Sequence, residues 1–129
     1  VAIKGFDTHS NQKNEHKSKL TELNDALVKF TQELKSNNLW DDTLIMTYSE
    51  FGRRILENGS HGTDHGEASC MFCMGGKVKG GIYGKLPDLL NNNGNVASKI
   101  DFKEVYATLQ NEWFKVDKKI IKNTPLNFL

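Results

Sequence analysis

Cysteine is scarce in this chain: Cys70 and Cys73 are the only two among 129 residues, spaced C-M-F-C. A zinc ribbon requires a second pair, and a thioredoxin-type centre requires its pair at the start of a helix. Neither context surrounds them. In an extended run over 68–74, residues three apart point to opposite faces, so a bond between the two thiols would be strained. The expectation is a pair of buried structural thiols. Net charge is equally scarce, +1 from 17 basic and 16 acidic residues, which leaves no long-range field to attract nucleic acid or an anionic membrane. Nucleic-acid partners are excluded on that ground. No apolar run approaches the length of a membrane span, and the first residues lack the charged, apolar and small-residue regions of a signal peptide. An initiator Met is missing as well. Val1 falls inside a predicted strand, so residues 1–129 read as the C-terminal portion of one longer domain.

What is present is ordinary for soluble globular protein, with 37% hydrophobic and 26% charged residues. Val1 to Phe6 is short, apolar and β-capable. From His16 to Ser36 the apolar residues Leu20, Leu23, Leu27, Phe30 and Leu34 alternate spacings of three and four, which lines one face of a helix. After the turn residues Asp41 and Asp42, the run Thr43 to Tyr48, TLIMTY, has too little polar alternation for a half-exposed edge strand and reads as covered on both faces. Strand, helix and strand in this order predict a βαβ unit, whose crossover makes its two strands parallel. The fold class expected is therefore α/β.

In open α/β sheets ligands bind beyond the carboxyl ends of the strands. Asp7 and His9 emerge there from the first predicted strand, and Ser49 and Glu50 from the second. In extended backbone residues i and i+2 point the same way, so Asp7 and His9 can offer a carboxylate oxygen and an imidazole nitrogen to one point. A third cluster, ENGSHGTDHG from Glu57 to Gly66, sets His61, Asp64 and His65 among three glycines that let the backbone turn ligands inward. Singly, such residues are more often surface, turn or capping residues. Jointly, three of the four histidines stand beside an acid at a strand end or in one loop, which favours a shared metal site. Carboxylate and imidazole together suit zinc first, then manganese or iron, with a purely oxygen-ligated calcium site a poorer match. Arg53 and Arg54 in SEFGRR suit planar, bidentate recognition of phosphate or sulfate. His16, at the helix entry, is expected to be solvated.

Other stretches are structural. Gly75 to Lys85, GGKVKGGIYGK, fails the phosphate-loop spacing, since Lys79 stands where a glycine is required and Leu86 where Ser or Thr is required, so it predicts a hairpin or loop. The formal sequon Asn58-Gly59-Ser60 has meaning only in a secretory host. Asn91 to Asn95, NNNGN, is a turn-rich linker. Phe102, Val105, Leu109 and Trp113 have helical spacing after Asp101, a good N-cap residue.

GFDTHSNQ, TLIMTYSEFGRR, ENGSHGTDHG, GGKVKGGIYG and DFKEVYATLQNEWF, in that order, resemble the C-terminal part of the bacterial family catalogued as domain of unknown function 1501, which is placed in the alkaline phosphatase and sulfatase superfamily. The resemblance spans nearly the whole chain. It implies a three-layer α/β/α fold with a mostly parallel sheet, alkaline-phosphatase-like, and divalent-metal chemistry on phosphate or sulfate esters. Small-molecule or polysaccharide esters are the implied substrates. Export by the twin-arginine route is often found, which implies a periplasmic or secreted location. Asp7 and His9 resemble the first element of the superfamily's metal pattern, although the superfamily usually separates the two by more residues. Asp64 and His65 resemble its Asp-His pair by type. By position Ser49 and Glu50 stand in that pair's place, which would make His61 or His65 the final histidine. The superfamily's nucleophile, a Ser, Thr or modified Cys, has no counterpart here and is expected before Val1, in an upstream part of the same domain.

The expectation is thus a metal-dependent ester hydrolase with Asp7, His9, Glu50, His61, Asp64 and His65 as candidate metal ligands and Arg53 or Arg54 neutralising charge on the transferred group. The competing expectation is a non-catalytic exported binding or structural protein on a retired hydrolase scaffold, favoured by Glu50 standing where Asp-His is usual.

Overall fold

The computed structural model describes residues 1–90 and 93–129. Asn91 and Asn92, the start of the predicted linker, lie outside the described residues; Asn93 and Gly94 form a turn. Helix α1 spans Gln12–Ser36 and opens four residues earlier than the apolar stripe alone predicts. Its start lacks a side-chain cap: Asn11 sits in left-handed backbone at φ 46°. The free N–H groups of Asn11 and Gln12 instead donate to the carbonyls of Ser60 and His61 at 3.0 and 2.9 Å. Two of the donors that every helix start leaves over are thereby satisfied by the Gly-rich loop. This fixes the end of the 1–11 segment against that loop.

After a short 3-10 turn, Trp40–Asp42, the chain forms β1 (Leu44–Met46), β2 (Gly52–Arg53), β3 (His65–Gly66) and β4 (Cys73–Gly75). β1 pairs with β4 and β2 with β3, both antiparallel, giving two separate two-stranded sheets. This overturns the three-layer α/β/α, mostly parallel expectation. The parallel βαβ reading required Val1 to Phe6 to be a strand beside TLIMTY, whereas that segment forms no strand and β1 takes its partner from a later part of the chain. A short apolar run shows that a segment can be extended and says nothing of what it pairs with. The run itself is half-buried over 43–47, with Tyr48 exposed, so it is not covered on both faces. Gly75 ends β4, and the rest of GGKVKGGIYGK is turn and loop.

Asp101 caps α2 (Phe102–Thr108) as expected, accepting from the Lys103 N–H at 2.9 Å. The helix then widens into a π-helical turn at Leu109–Trp113. Gln110, buried there, accepts from the N–H groups of Ile120 and Ile121 and donates to the Ile121 carbonyl, which pins the final segment. Among the described residues, the buried hydrophobic ones are Leu34, Val105, Ala107 and Phe128. Leu20 and Phe30 of the α1 stripe stand about half exposed. No helix among the described residues is long and apolar enough to cross a membrane.

Neither cysteine is fully buried: Cys70 is exposed and Cys73, in β4, is half-buried, and both are free thiols. Partial burial pushes the Cys73 thiol above its ordinary range, which makes it a poorer nucleophile.

Candidate metal centre

Around His9 the backbone places side chains in alternation. Thr8 is buried while Asp7 and His9 are exposed, so the two polar residues project together, as extended geometry dictates. The His9 Nε2 atom lies 3.0 Å from the Asp7 Oδ1 atom. The third member comes from the far side of the Gly-rich loop. β2 and β3 pair so that Arg53 stands opposite His65, and His65 Nε2 reaches Asp7 Oδ1 at 2.7 Å and His9 Nε2 at 3.1 Å. Asp7, His9 and His65 thus form a triangle of one oxygen and two nitrogens.

Two features hold the loop against the 7–9 segment. Asn58 donates through Nδ2 to the His9 carbonyl at 3.0 Å, while its Oδ1 accepts from the Ser60 and Gly62 N–H groups. Gly62 then passes so close to His9 that a Cβ on it would lie 2.4 Å from the His9 carbonyl carbon and oxygen. Thr63 adds a hydroxyl donated to Gln12 Oε1 at 2.9 Å.

The ring of Phe51 stacks on His65 with centroids 3.7 Å apart and planes within 7°. Strand sequence carries a signal for this: Phe51 lies two residues before Arg53, and so on the same side of the chain as the residue paired with His65. Asn58 was legible too, as the asparagine of an Asn-Gly turn. Neither is singled out by a search for ligand residue types.

The other candidates are placed differently. Among the described residues, Asp7, His9 and His65 are the only set of three or more whose ligand atoms all lie within 4.8 Å of one another. Asp64 faces the other imidazole nitrogen, its Oδ1 3.7 Å from His9 Nδ1. His61, at φ 59°, turns to Glu57, with Nδ1 and Oε1 2.9 Å apart. Glu50 is exposed and outside the group. Arg53 is mostly buried and donates to the carbonyls of Thr63 and Phe6. Arg54 is exposed and donates to the Asn93 carbonyl at 3.0 Å. His16 meets Phe6 edge to face at 5.8 Å.

Electrostatics favour an ionised Asp7. The hydrogen bond from His65 leads in holding its carboxyl below the ordinary range, against a smaller opposing desolvation cost. The charges of His65 and His9 and the bond from His9 act in the same downward sense. A depressed carboxyl pKa means that the contacts of Asp7 favour the folded state above the ordinary carboxyl range and lose that contribution as pH falls through the folded value. The expected result is a carboxyl carbon titration of Asp7, followed by NMR, with its midpoint below 3.8. In His65→Ala that midpoint should rise. A wild-type midpoint at or above 3.8 would contradict the triangle.

The elements and this three-residue face define a small chain of helices and antiparallel ribbons carrying a candidate metal centre. A model of the proteins of unknown function designated DUF1501 matches residues 1–124, and the chain belongs to that family. No curated protein and no solved structure matches the chain.

Proposed function

We propose that this chain carries the metal-binding part of a metal-dependent hydrolase of phosphate or sulfate esters, of the sulfatase-like and alkaline-phosphatase-like kind. The observation that supports it most is the triangle itself, whose edges are 2.7, 3.0 and 3.1 Å. Ligand atoms bound at about 2.05 Å stand about 3.3 Å apart in a tetrahedral shell and about 2.9 Å apart in an octahedral one. The triangle is therefore close to the size of one face of a coordination shell. A single ion placed among them would meet one lone pair from each of the three atoms.

Two imidazoles and a carboxylate suit zinc first, with manganese or iron next. Three protein ligands leave at least one coordination position for water or substrate, the pattern of catalytic rather than structural zinc. A bound ion would polarise the ester oxygen. Of the chain's own residues, Asp7, His9 and His65 hold the ion, Phe51 and Asn58 orient the segments that carry them, and Arg54 is the exposed guanidinium able to meet an ester oxyanion. A periplasmic or secreted location belongs to the same proposal.

A second reading has one specific observation behind it. The cluster lies open at the surface, and the hollow of about 350 Å³ lined by Arg54, Glu67, Asn93, Asn95 and Ala97 does not include it. Chemistry that must exclude water is better served by a cleft, so a non-catalytic metal-binding protein is the alternative.

The test is hydrolysis of 4-nitrophenyl phosphate and 4-nitrophenyl sulfate by protein expressed from its complete coding sequence, stripped with chelator and reloaded with zinc or manganese. Turnover that disappears with the metal and returns with it is expected. Bound metal without turnover would leave the binding protein standing, and absence of bound metal would defeat both readings.

A further inference from the structure

Arg53 has an occupation that its charge does not explain. β2 and β3 place it directly opposite His65, so both side chains leave the ribbon on one face. Its Nη1 donates to the Thr63 carbonyl at 2.7 Å and its Nη2 to the Phe6 carbonyl at 2.5 Å. Phe6 immediately precedes Asp7, and Thr63 comes two residues before His65. The Phe51 ring that stacks on His65 also carries the guanidinium, with its central carbon 5.1 Å from the ring centroid. One planar cation thus ties together the two chain segments that supply the triangle, just ahead of a ligand on each. Only a guanidinium has donors in a rigid fork wide enough to do so.

We propose that Arg53 is a positioning residue for the metal centre, bridging the Phe6 and Thr63 carbonyls so that Asp7 and His9 meet His65 at ligand distance. This rests on the metal-binding reading of the same site. A purely electrostatic role makes the opposite prediction. Arg53 Nη2 is 3.8 Å from Asp7 Oδ1, and a cation there repels a metal ion, so deleting its charge alone would tighten metal binding.

The experiment compares wild-type protein with Arg53→Lys, which keeps the charge but cannot span both carbonyls, and Arg53→Met, which keeps bulk alone. Zinc affinity is measured by competition with a chromophoric chelator. Both variants should bind zinc about 10–100-fold more weakly, the range for loss of an outer partner that orients ligands. A second readout needs no metal: the amides of Asn11 and Gln12, whose bonds to Ser60 and His61 join the two segments, should exchange with solvent at least about tenfold faster in metal-free Arg53→Lys, as local opening becomes easier. Wild-type zinc affinity in Arg53→Lys, tighter binding in Arg53→Met, or unchanged exchange at both amides would overturn the assignment. So would collapse of the helical circular dichroism in Arg53→Lys, because a local clamp leaves α1 and α2 intact. If wild-type protein binds no zinc, the metal reading falls, while the exchange rates still decide whether Arg53 holds the segments together.

Discussion

Replacing His65 by alanine should lower zinc affinity at least about 100-fold, equivalent to about 2.7 kcal/mol, while His16→Ala leaves it unchanged. The difference follows from where each imidazole points. His65 supplies one corner of the triangle and is the only member contributed by the 57–66 loop, so its loss leaves Asp7 and His9 as a two-atom site on one short segment. His16 lies on α1 against Phe6 and has no ligand partner in the group. Isothermal titration of the metal-free protein and both variants measures the effect. Equal affinities in all three would refute the assignment of His65.

The pH dependence of the same binding has a defined sign. Asp7 is held ionised below the ordinary carboxyl range, so it needs no deprotonation near neutrality. Imidazole must be neutral to bind a cation. Affinity should therefore fall as pH drops, with proton uptake accompanying metal release.

Gly62→Ala should be more damaging than the same change at Gly59 in the same loop. A Cβ at position 62 would lie 2.4 Å from the His9 carbonyl carbon and oxygen and 2.8 Å from the Ser10 nitrogen, all of them backbone atoms. No side chain can swing aside to relieve that contact, so the loop and the 7–10 segment must separate. Overpacking of this kind costs about 1–3 kcal/mol. It also moves His9 away from His65, so zinc affinity should drop together with the urea midpoint. At Gly59, three residues earlier, an added Cβ would meet nothing within 4 Å, and alanine there should change stability by no more than about 0.5 kcal/mol. Equal urea midpoints for the two variants would mean that the close approach at Gly62 is not tight.

The sequence made the helices legible because long amphipathic periods are redundant. Five apolar residues in α1 report the same face, and Asp101 marks its helix start through a local side-chain bond. The pairing of Asp7 with His9 was legible for the same local reason, being set by the backbone between them. Sheet topology was not. β2 and β3 are two residues each, too short for any alternation to register, yet their pairing is what selects His65 over His61 as the third corner. The identity of β1's neighbour, β4, depends on contacts nearly thirty residues apart, which no local pattern encodes. Arg53 was legible as a cation beside the site, whereas its bonding to two main-chain carbonyls required the segments to be seen together.

The side chains of Asp7, His9 and His65 are 63, 49 and 44% exposed. An ion held by three such groups keeps contact with bulk water, so incoming and outgoing ions exchange without any opening of the chain. Raw affinity among divalent ions follows a fixed chemical order, and an open three-point site adds little shape with which to overrule it. Which metal such a site would hold would then be decided by supply: the compartment that delivers the ion, and the competing chelators in it, would determine the occupant more than the ligands do.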